Sequence, residues 1–481
     1  MPKIPLAFGQ MDLENDQTSR KDTVLAHLIN GFRVGTSLHM WPDHAEYCDL
    51  GEGGAVAVYV WQSTLHGVKY AVCAGKLYRV NGEGQKTEIA DTNLTSGVPP
   101  TFTEDAHHVF VAAASPIHQI SGDVVLFNAE GDAPLNVTSL AYLSGFLVAN
   151  GEDPNGGGLA GDFAYSDTVG EDGVPTYAVW SYENNASKPD ALQGLIATAD
   201  DYLYAIGTES VDVSYISGNV ENPFTSNKAA AQPFGTPERH TIAYDSQSIF
   251  FLSIIQGNRQ IVRLVGGRTP QIIGFPIGVP VQNADITGAR AHLTGHRGQT
   301  FYIITFPQAN VTIDDLFFPS LTLAFNIRAE EWAILGQWDD MQGRYGDYLG
   351  QSFAYDGTTR LVGGGDGKVY TLADESRVDE PVMMHRWRND GRMEWGNARS
   401  IPLGAIGDRI GPKKQRQCGR YYKRQDEFIL ANGGTRMSIR TGWRTWGKLG
   451  LKISNEYAYD VKRGDIGVVF DGVEEDIKVV S

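Results

Sequence analysis

The sequence predicts an all-β fold, a β-propeller of six or seven blades with a smaller C-terminal β domain, on three observations. Glycine supplies 56 of 481 residues, about 12% against a usual 7% or so. Aromatic side chains, 20 Phe, 21 Tyr and 9 Trp, are spread along the whole chain, a composition of many short strands joined by tight turns. A phrase of paired apolar strands also returns at intervals of roughly 37 to 60 residues, close to the ~40–50 that one blade requires. No such unit can bury both faces of its sheet alone, so radial stacking is the simplest packing. An antiparallel sandwich would show similar hairpins.

Residues 1–51 lack the rhythm and read as an N-terminal arm with a lead-in strand. A helix is expected there over Asp16–Ile29. The propeller is expected over 52–375. Ala55–Trp61 is a short strand, and Lys69–Cys73 with Lys76–Val80 form a hairpin across Ala74 and Gly75. Asn81-Gly82 follows, a strong turn signal. The phrase recurs in His108–Ala112, in Tyr142–Ala149, and in Asp201–Ile206 leading across Gly207 into Val211–Tyr215. It returns in Ser248–Ser253 with Gln260–Val265, then in Thr300–Thr305 with Leu321–Phe325. The last instance pairs Thr359–Val362 with Lys368–Leu372 across Asp366-Gly367.

The rhythm changes after Ser376. Between Arg386 and Lys452 there are 16 basic and five acidic side chains, a net of +11 within a chain of net charge −17, so the remainder carries −28. Such a split argues for a second module, 376–481, with a partner of its own. The acidic bulk excludes nucleic-acid binding through a broad basic surface. The longest apolar runs, such as Ile249–Ile255, fall far short of the ~20 residues of a spanning helix. The N-terminus, Met1-Pro2-Lys3, has no apolar core, so no secretory signal is expected. Cys48, Cys73 and Cys418 are scattered, odd in number and in no C-x-x-C pair, which points to reduced thiols.

Motifs that could carry chemistry have plainer explanations. Gly363–Lys368 suggests a phosphate loop, but the position five before Gly367 is Val362 and a strand follows, so a glycine-rich hairpin is expected. His292 and His296 stand at metal-ligand spacing, yet Gly295 and Gly298 interrupt them and no H-E-x-x-H is formed; turn or surface positions are expected. His107-His108 reads as a strand edge. Asp153–Gly158 with Asp162 lacks the closing Glu of a calcium loop and reads as solvated. The sequons at Asn93, Asn136, Asn185 and Asn310 have no meaning without a secretory route. A sialidase-type propeller carries repeated S-x-D-x-G-x-x-W boxes. Asp390–Trp395 is one degenerate copy with Arg392 where Gly belongs, and it lies beyond the repeats. No Gly-x-Ser-x-Gly elbow occurs. No catalytic, metal or cofactor-binding residue is assigned.

The order of phrases resembles the packaged-DNA stabilisation proteins of short-tailed bacteriophages, which form the tail nozzle. The segments that carry it begin with Tyr47–Gly51, the Lys69–Val80 hairpin, Leu143–Leu147 and Asp162–Asp167. The most specific stretch runs from Asp190–Leu195 through Gly207–Asp212 and Ser217–Asn219 to Asn222–Phe224. Late matches are Trp387–Gly391, Trp395, Leu403–Asp408 and Cys418–Asp426. The resemblance spans about residues 40 to 430. It does not reach the segment before Phe32, nor the residues from Trp443 onward, which exceed the family pattern.

The resemblance implies a non-enzymatic virion tail protein, made in the host cytoplasm. It would form a homohexameric ring below the portal and adaptor, retain packaged DNA and guide ejection. Implied partners are the adaptor ring and other tail proteins (needle, tailspike or fibre), with double-stranded DNA only as passing cargo. No cofactor is implied. The alternative is a sialidase-like or carbohydrate-binding propeller on the virion surface. Arginine forks suit bidentate pairing with carboxylates of a neighbouring ring. Arg386, Arg388, Arg392, Lys413, Lys414, Arg416, Arg420, Lys423 and Arg424 are therefore the candidate docking residues.

Overall fold

The computed structural model describes residues 11–14, 25–34, 37–42, 44–54, 56–121, 124–127, 133–154, 163–166, 177, 179–183, 190–219, 222–245, 247–313, 316–339, 344–355 and 359–372. Beyond these it describes strands at 3–6, 384–389, 437–441, 444–446, 453–461, 469–470 and 473–476.

Seven four-stranded antiparallel blades follow one another. Blade 1 holds Val58–Gln62, Lys69–Cys73, Lys76–Val80 and Lys86–Ile89. Blade 2 holds Thr101–Glu104, Val109–Ala112, His118–Ser121 and Val124–Phe127. Blade 3 holds Leu140–Leu143, Phe146–Ala149, Phe163–Ser166 and Trp180–Glu183. Blade 4 holds Leu192–Ala197, Tyr202–Gly207, Val211–Ile216 and Phe224–Ser226. Blade 5 holds Ala243–Tyr244, Ser248–Ile255, Asn258–Val265 and Thr269–Ile272. Blade 6 holds Arg290–His296, Gln299–Phe306, Leu321–Asn326 and Glu331–Leu335. Blade 7 holds Gly350–Tyr355, Arg360–Gly364 and Lys368–Leu372, and its outer strand is His44–Asp49 from the other end of the chain.

Strand alternation explains the ring. Every second residue of a strand faces the same side of its sheet. Ile249 and Phe251 thus pack toward blade 4 while Phe250 and Leu252 pack toward blade 6. Phe301 and Ile303 likewise face blade 7, and Tyr302 and Ile304 face blade 5. Buried apolar residues among those described form seven clusters, each between two consecutive blades, including one that joins blade 7 to blade 1. Burial on both faces is why these strands read as continuous apolar runs. Each fully buried Leu, Ile or Phe contributes about 1.5–3 kcal/mol.

Four hairpins turn on the same device. Ala74-Gly75, Ser144-Gly145, Gln256-Gly257 and Arg297-Gly298 all have positive φ at both positions. That geometry matches the twist of two-residue hairpins, and glycine meets its second position without strain. A short extra hairpin, Val311–Ile313 with Leu316–Phe318, lengthens blade 6 and makes the sequence period irregular.

The helix expected over Asp16–Ile29 is corrected over its last turn, where Leu25–Ile29 is a strand. The rest of that helix lies outside the described residues. The strand lies beside the outer strand of blade 6, with Ile29 paired in parallel to Ile334. Leu28 and Ile29 are buried there, and the open edge of a sheet supplies hydrogen-bond partners that a helix would forgo. Met437–Thr441, Ile453–Val461 and Met384–Asn389 continue the same sheet in that order. Strands from both ends of the chain thus gather beside blade 6.

Candidate functional site

The first strands of the blades surround the central axis, and hydroxyl groups clasp them to one another. The Leu140 N–H donates to Thr101 Oγ1 at 3.1 Å, and the Leu195 N–H donates to Ser139 Oγ at 2.8 Å. Ser352 Oγ closes the seam between blades 7 and 1, accepting from the Val60 N–H at 2.8 Å and donating to the Val58 carbonyl at 2.9 Å. Each clasp satisfies a backbone group that no ladder could reach.

All first strands run the same way around the axis, so their starts gather at one mouth of the channel and their ends at the other. The starting mouth gathers charged groups of both signs, Glu238 beside Arg239 and Asp347 beside Arg290. Arg290 and His292 lie on the first strand of blade 6, and Arg239 and His240 lie in the short turn Arg239–Thr241, which packs against that strand. Burial, with the positive charge of Arg239 and Arg290 beside it, lowers the His240 imidazole to about 4. Burial first, then Arg290, lowers His292 to about 3. Both imidazoles are therefore neutral at ordinary pH. Burial lowers the Arg290 pKa too, against the opposing influence of Tyr59 and Asp347.

The opposite mouth carries Glu104. Glu104, at the end of the first strand of blade 2, accepts from the N–H groups of Thr64 and Leu65 at 2.9 and 3.2 Å. Tyr244 ends the first strand of blade 5 and is 52% exposed. Its pKa is raised, by burial first and by Glu104 second. Blades 2 and 5 are not neighbours, so this influence crosses the axis.

The motifs of the sequence fall as follows. Gly363–Lys368 is a hairpin, with Gly363 and Gly364 on one strand and Lys368 opening the next. His292 and His296 are corrected: they lie on a strand, not in a turn. His296 is buried with its ring 5.5 Å from Phe32, and His292 stands 6.3 Å from Phe353. Alternation from Arg290 puts both on the face toward blade 7, and the turn begins only at Arg297. The N–H groups of His107 and His108 donate to Asp105 Oδ1 just before Val109–Ala112. Most of the Asp153–Asp162 loop lies outside the described residues.

Among the candidate docking residues, Arg386 and Arg388 lie on the strand Met384–Asn389, at positions opposite Tyr459 and Tyr457. Arg392, Lys413, Lys414, Arg416, Arg420, Lys423 and Arg424 lie outside the described residues. Among the described residues no group of three or more His, Cys, Asp or Glu is placed to hold a metal ion, and no helix is long and apolar enough to cross a membrane. The charged cluster at the starting mouth was not foreseen. Its members come from different blades, far apart in the chain, and no spacing rule joins them.

These features define a seven-bladed propeller closed by its own N-terminal strand. A family model described as bacteriophage P22 Gp10, beta-propeller (phage stabilisation) matches residues 45–377, nearly the span of the closed ring. The chain belongs to that family of phage stabilisation proteins. No curated protein matches the sequence. Among solved structures, the extracellular domain of the one-component system BT4673 from B. thetaiotaomicron aligns at 11% identity and a TM-score of 0.44, covering 69% of this chain and 40% of that one. The chain thus spans less than two thirds of that protein. Virginiamycin B lyase from Staphylococcus aureus aligns at 16% identity and a TM-score of 0.42, covering 68% and 97% of the two chains. Likeness at this level carries neither activity nor ligand across.

Proposed function

We propose that this protein is the tail nozzle component of a short-tailed phage: a ring, of six copies, that sits below the portal and adaptor, closes the channel behind packaged DNA and guides ejection. The observation that supports this reading most is the family match over residues 45–377, which takes in every blade and the closing strand. In this reading the propeller is a rigid block. The module 376–481, with Arg386, Arg388, Arg392, Lys413, Lys414, Arg416, Arg420, Lys423 and Arg424, docks to acidic surfaces of the neighbouring ring. A closed cyclic ring needs two different complementary patches on each copy, and the acidic bulk with the basic C-terminal region supplies two signs of charge. An acidic conduit repels phosphate and does not hold the duplex. No catalytic group or cofactor enters the role.

Particles assembled without the protein test it. They should package DNA normally, then lose it, and should not eject into cells. Particles that stay full and lose only the ability to bind or degrade a host glycan would replace this reading with that of a surface carbohydrate-binding propeller.

A further inference from the structure

Across the seam between blades 2 and 3, a buried carboxylate meets a strained tyrosine. Asp105 lies in the hairpin turn after the first strand of blade 2 and is 1% exposed. Its Oδ1 accepts from the N–H groups of His107 and His108 at 2.6 and 2.5 Å. Its Oδ2 accepts from the hydroxyl of Tyr177, a fully buried residue just before the outer strand of blade 3. The Tyr177 backbone has φ 50, a left-handed conformation that a bulky residue enters only at a cost in stability. The Trp180 Nε1–H donates to its carbonyl at 3.0 Å, and its ring stands 4.9 Å from Phe110 of blade 2, edge to face. Strain of this kind persists only where the surroundings impose it.

The outer half of blade 3 has a short ladder to the rest of its sheet. Phe163–Ser166 and Trp180–Glu183 pair with each other over four residues. Phe146–Ala149 meets Phe163–Ser166 through two residue pairs, Val148↔Tyr165 and Ala149↔Ala164, and the Leu147 N–H donates to Ser166 Oγ at 3.0 Å. We propose that Asp105 and Tyr177 form a latch: the ionised carboxylate holds the outer half of blade 3 against blade 2, and its neutralisation lets those strands loosen while the other blades stay closed.

The titratable groups around the carboxylate come from three blades. Glu104, His107 and His108 belong to its own hairpin, with His108 Nδ1 3.4 Å from Asp105 Oδ2. His66 of blade 1 donates through Nε2 to the Asp105 carbonyl at 3.0 Å. Tyr142 of blade 3 acts on Tyr177. Burial pushes the Asp105 carboxyl up, but the Tyr177 hydroxyl and the N–H groups of His107 and His108 outweigh it and hold the carboxyl below its usual range. A carboxyl lowered by folding stabilises the folded state above its unfolded value of about 3.9, and that contribution is lost as pH falls through the folded value. The latch is therefore set at neutral pH and opens in acid.

Hydrogen exchange of the full chain, corrected for the intrinsic pH dependence of amide exchange, tests the latch. At neutral pH, Tyr177→Phe and Asp105→Asn should quicken exchange in Phe163–Ser166 and Trp180–Glu183 by about tenfold or more. Ser248–Ile255 of blade 5 should be unchanged. The unaltered chain should reach the faster rate only below about pH 3.9, and Tyr177→Phe, with no hydroxyl to release, should lose that pH step. Thermal melts show which variants are folded. If neither is, the pH profile of the unaltered chain decides. Exchange in folded Tyr177→Phe that matches the unaltered chain overturns the proposal, and so does acid loosening of blade 5 at the same pH as blade 3.

Discussion

Blades 6 and 7 both take a strand from the N-terminal fifty residues, and they use it to opposite ends. On blade 7, His44–Asp49 pairs with Lys368–Leu372 in an antiparallel ladder of five residue pairs, from Lys368↔Asp49 to Leu372↔His44, broken by one bulge. It completes a four-stranded blade, and Cys48 joins the core between blades 7 and 1. On blade 6 the four strands are already present. Leu25–Ile29 adds a fifth through the single parallel pair Ile29↔Ile334, and its other edge carries Met437–Thr441. The ladder on blade 7 closes an edge, whereas the one on blade 6 extends it.

The modes of attachment differ accordingly. The closing strand is held by its ladder and by packing. The added strand is held to blade 6 by one residue pair, by the buried Leu28 and Ile29, and by side chains around its end. Asn30, in the left-handed region at φ 53, donates through Nδ2 to the Gly336 carbonyl at 2.7 Å and accepts through Oδ1 from the Gly336 N–H at 3.0 Å. Arg33 stands 2.9 Å from Glu331, whose carboxyl is pushed up by burial and drawn back by that arginine. A closing strand is part of the ring, and an added strand is a tether. The comparison predicts that damage to the first is global and damage to the second local.

The largest expected effect comes from deletion. Removing residues 1–50 leaves blade 7 with three strands and exposes one face of the seam core, so no folded, soluble ring is expected. Removing residues 376–481 leaves every blade its four strands. Its melting temperature should stay within about 5 °C of the full chain, a shift that corresponds to roughly 1–2 kcal/mol or less. Circular dichroism melts of both truncations decide between them. An intact ring without residues 1–50 would make the closure dispensable and erase the contrast.

Next is the seam itself. A Cβ added at Gly363 would lie 2.0 Å from the Val58 carbonyl oxygen and 2.5 Å from Ser352 Oγ, whereas at Gly365 its nearest contact would be Gln351 Nε2 at 3.4 Å. Gly363→Val therefore prises blades 7 and 1 apart and should cost about 3 kcal/mol in denaturant unfolding. Gly365→Ala should cost less than about 1 kcal/mol. Equal costs would mean that the blades slide past one another freely.

Much of this was legible in the sequence because blades are local. Each hairpin needs only adjacent residues, and Lys69–Cys73 with Lys76–Val80 are the strands of blade 1 as read from alternation alone. The count of seven was harder, since the fourth strand of blade 7 comes from the far end of the chain and blade 6 carries an extra hairpin. Leu25–Ile29 misled because a short apolar run suits a helix turn or a strand equally well, and only the edge of blade 6 chooses. The charged cluster at the starting mouth was invisible for the same reason as the closure. The turn Arg239–Thr241 packs against the strand Arg290–His296 only through the ring, and no local pattern records that.

Two hydrogen-bonding side chains then separate global from local loss. Ser352→Ala strips partners from the Val60 N–H and the Val58 carbonyl inside the seam, at a cost of about 1–3 kcal/mol that should appear in the global unfolding midpoint. Asn30→Ala strips two partners from Gly336, again a matter of about 1–3 kcal/mol, but at the tether. Hydrogen exchange should quicken around residues 25–34 and in the strands paired to them, while the inner strands of the blades keep their protection. A global fall in protection after Asn30→Ala would show that the tether belongs to the ring.

The smallest effect is expected where charge alone decorates the closing ladder. Lys368 Nζ lies 2.8 Å from Glu46 Oε2, with the two side chains 31% and 54% exposed. The pair raises the lysine pKa, chiefly through the Glu46 hydrogen bond, so proximity is not in doubt. Water screens both partners, however, and ordering two long side chains offsets most of what their attraction contributes. The ladder beneath is made of backbone hydrogen bonds and the packed face of Val369, neither of which needs the charges. A double-mutant cycle of Lys368→Gln and Glu46→Gln, read by thermal unfolding at low and at high salt, should give no coupling above experimental scatter at either. Coupling that is strong at low salt and vanishes at high salt would show the ring held shut by electrostatics. The two edges would then differ in strength of charge pairing and not in kind, and the ion pair of Arg33 with Glu331 would become the one to compare with it.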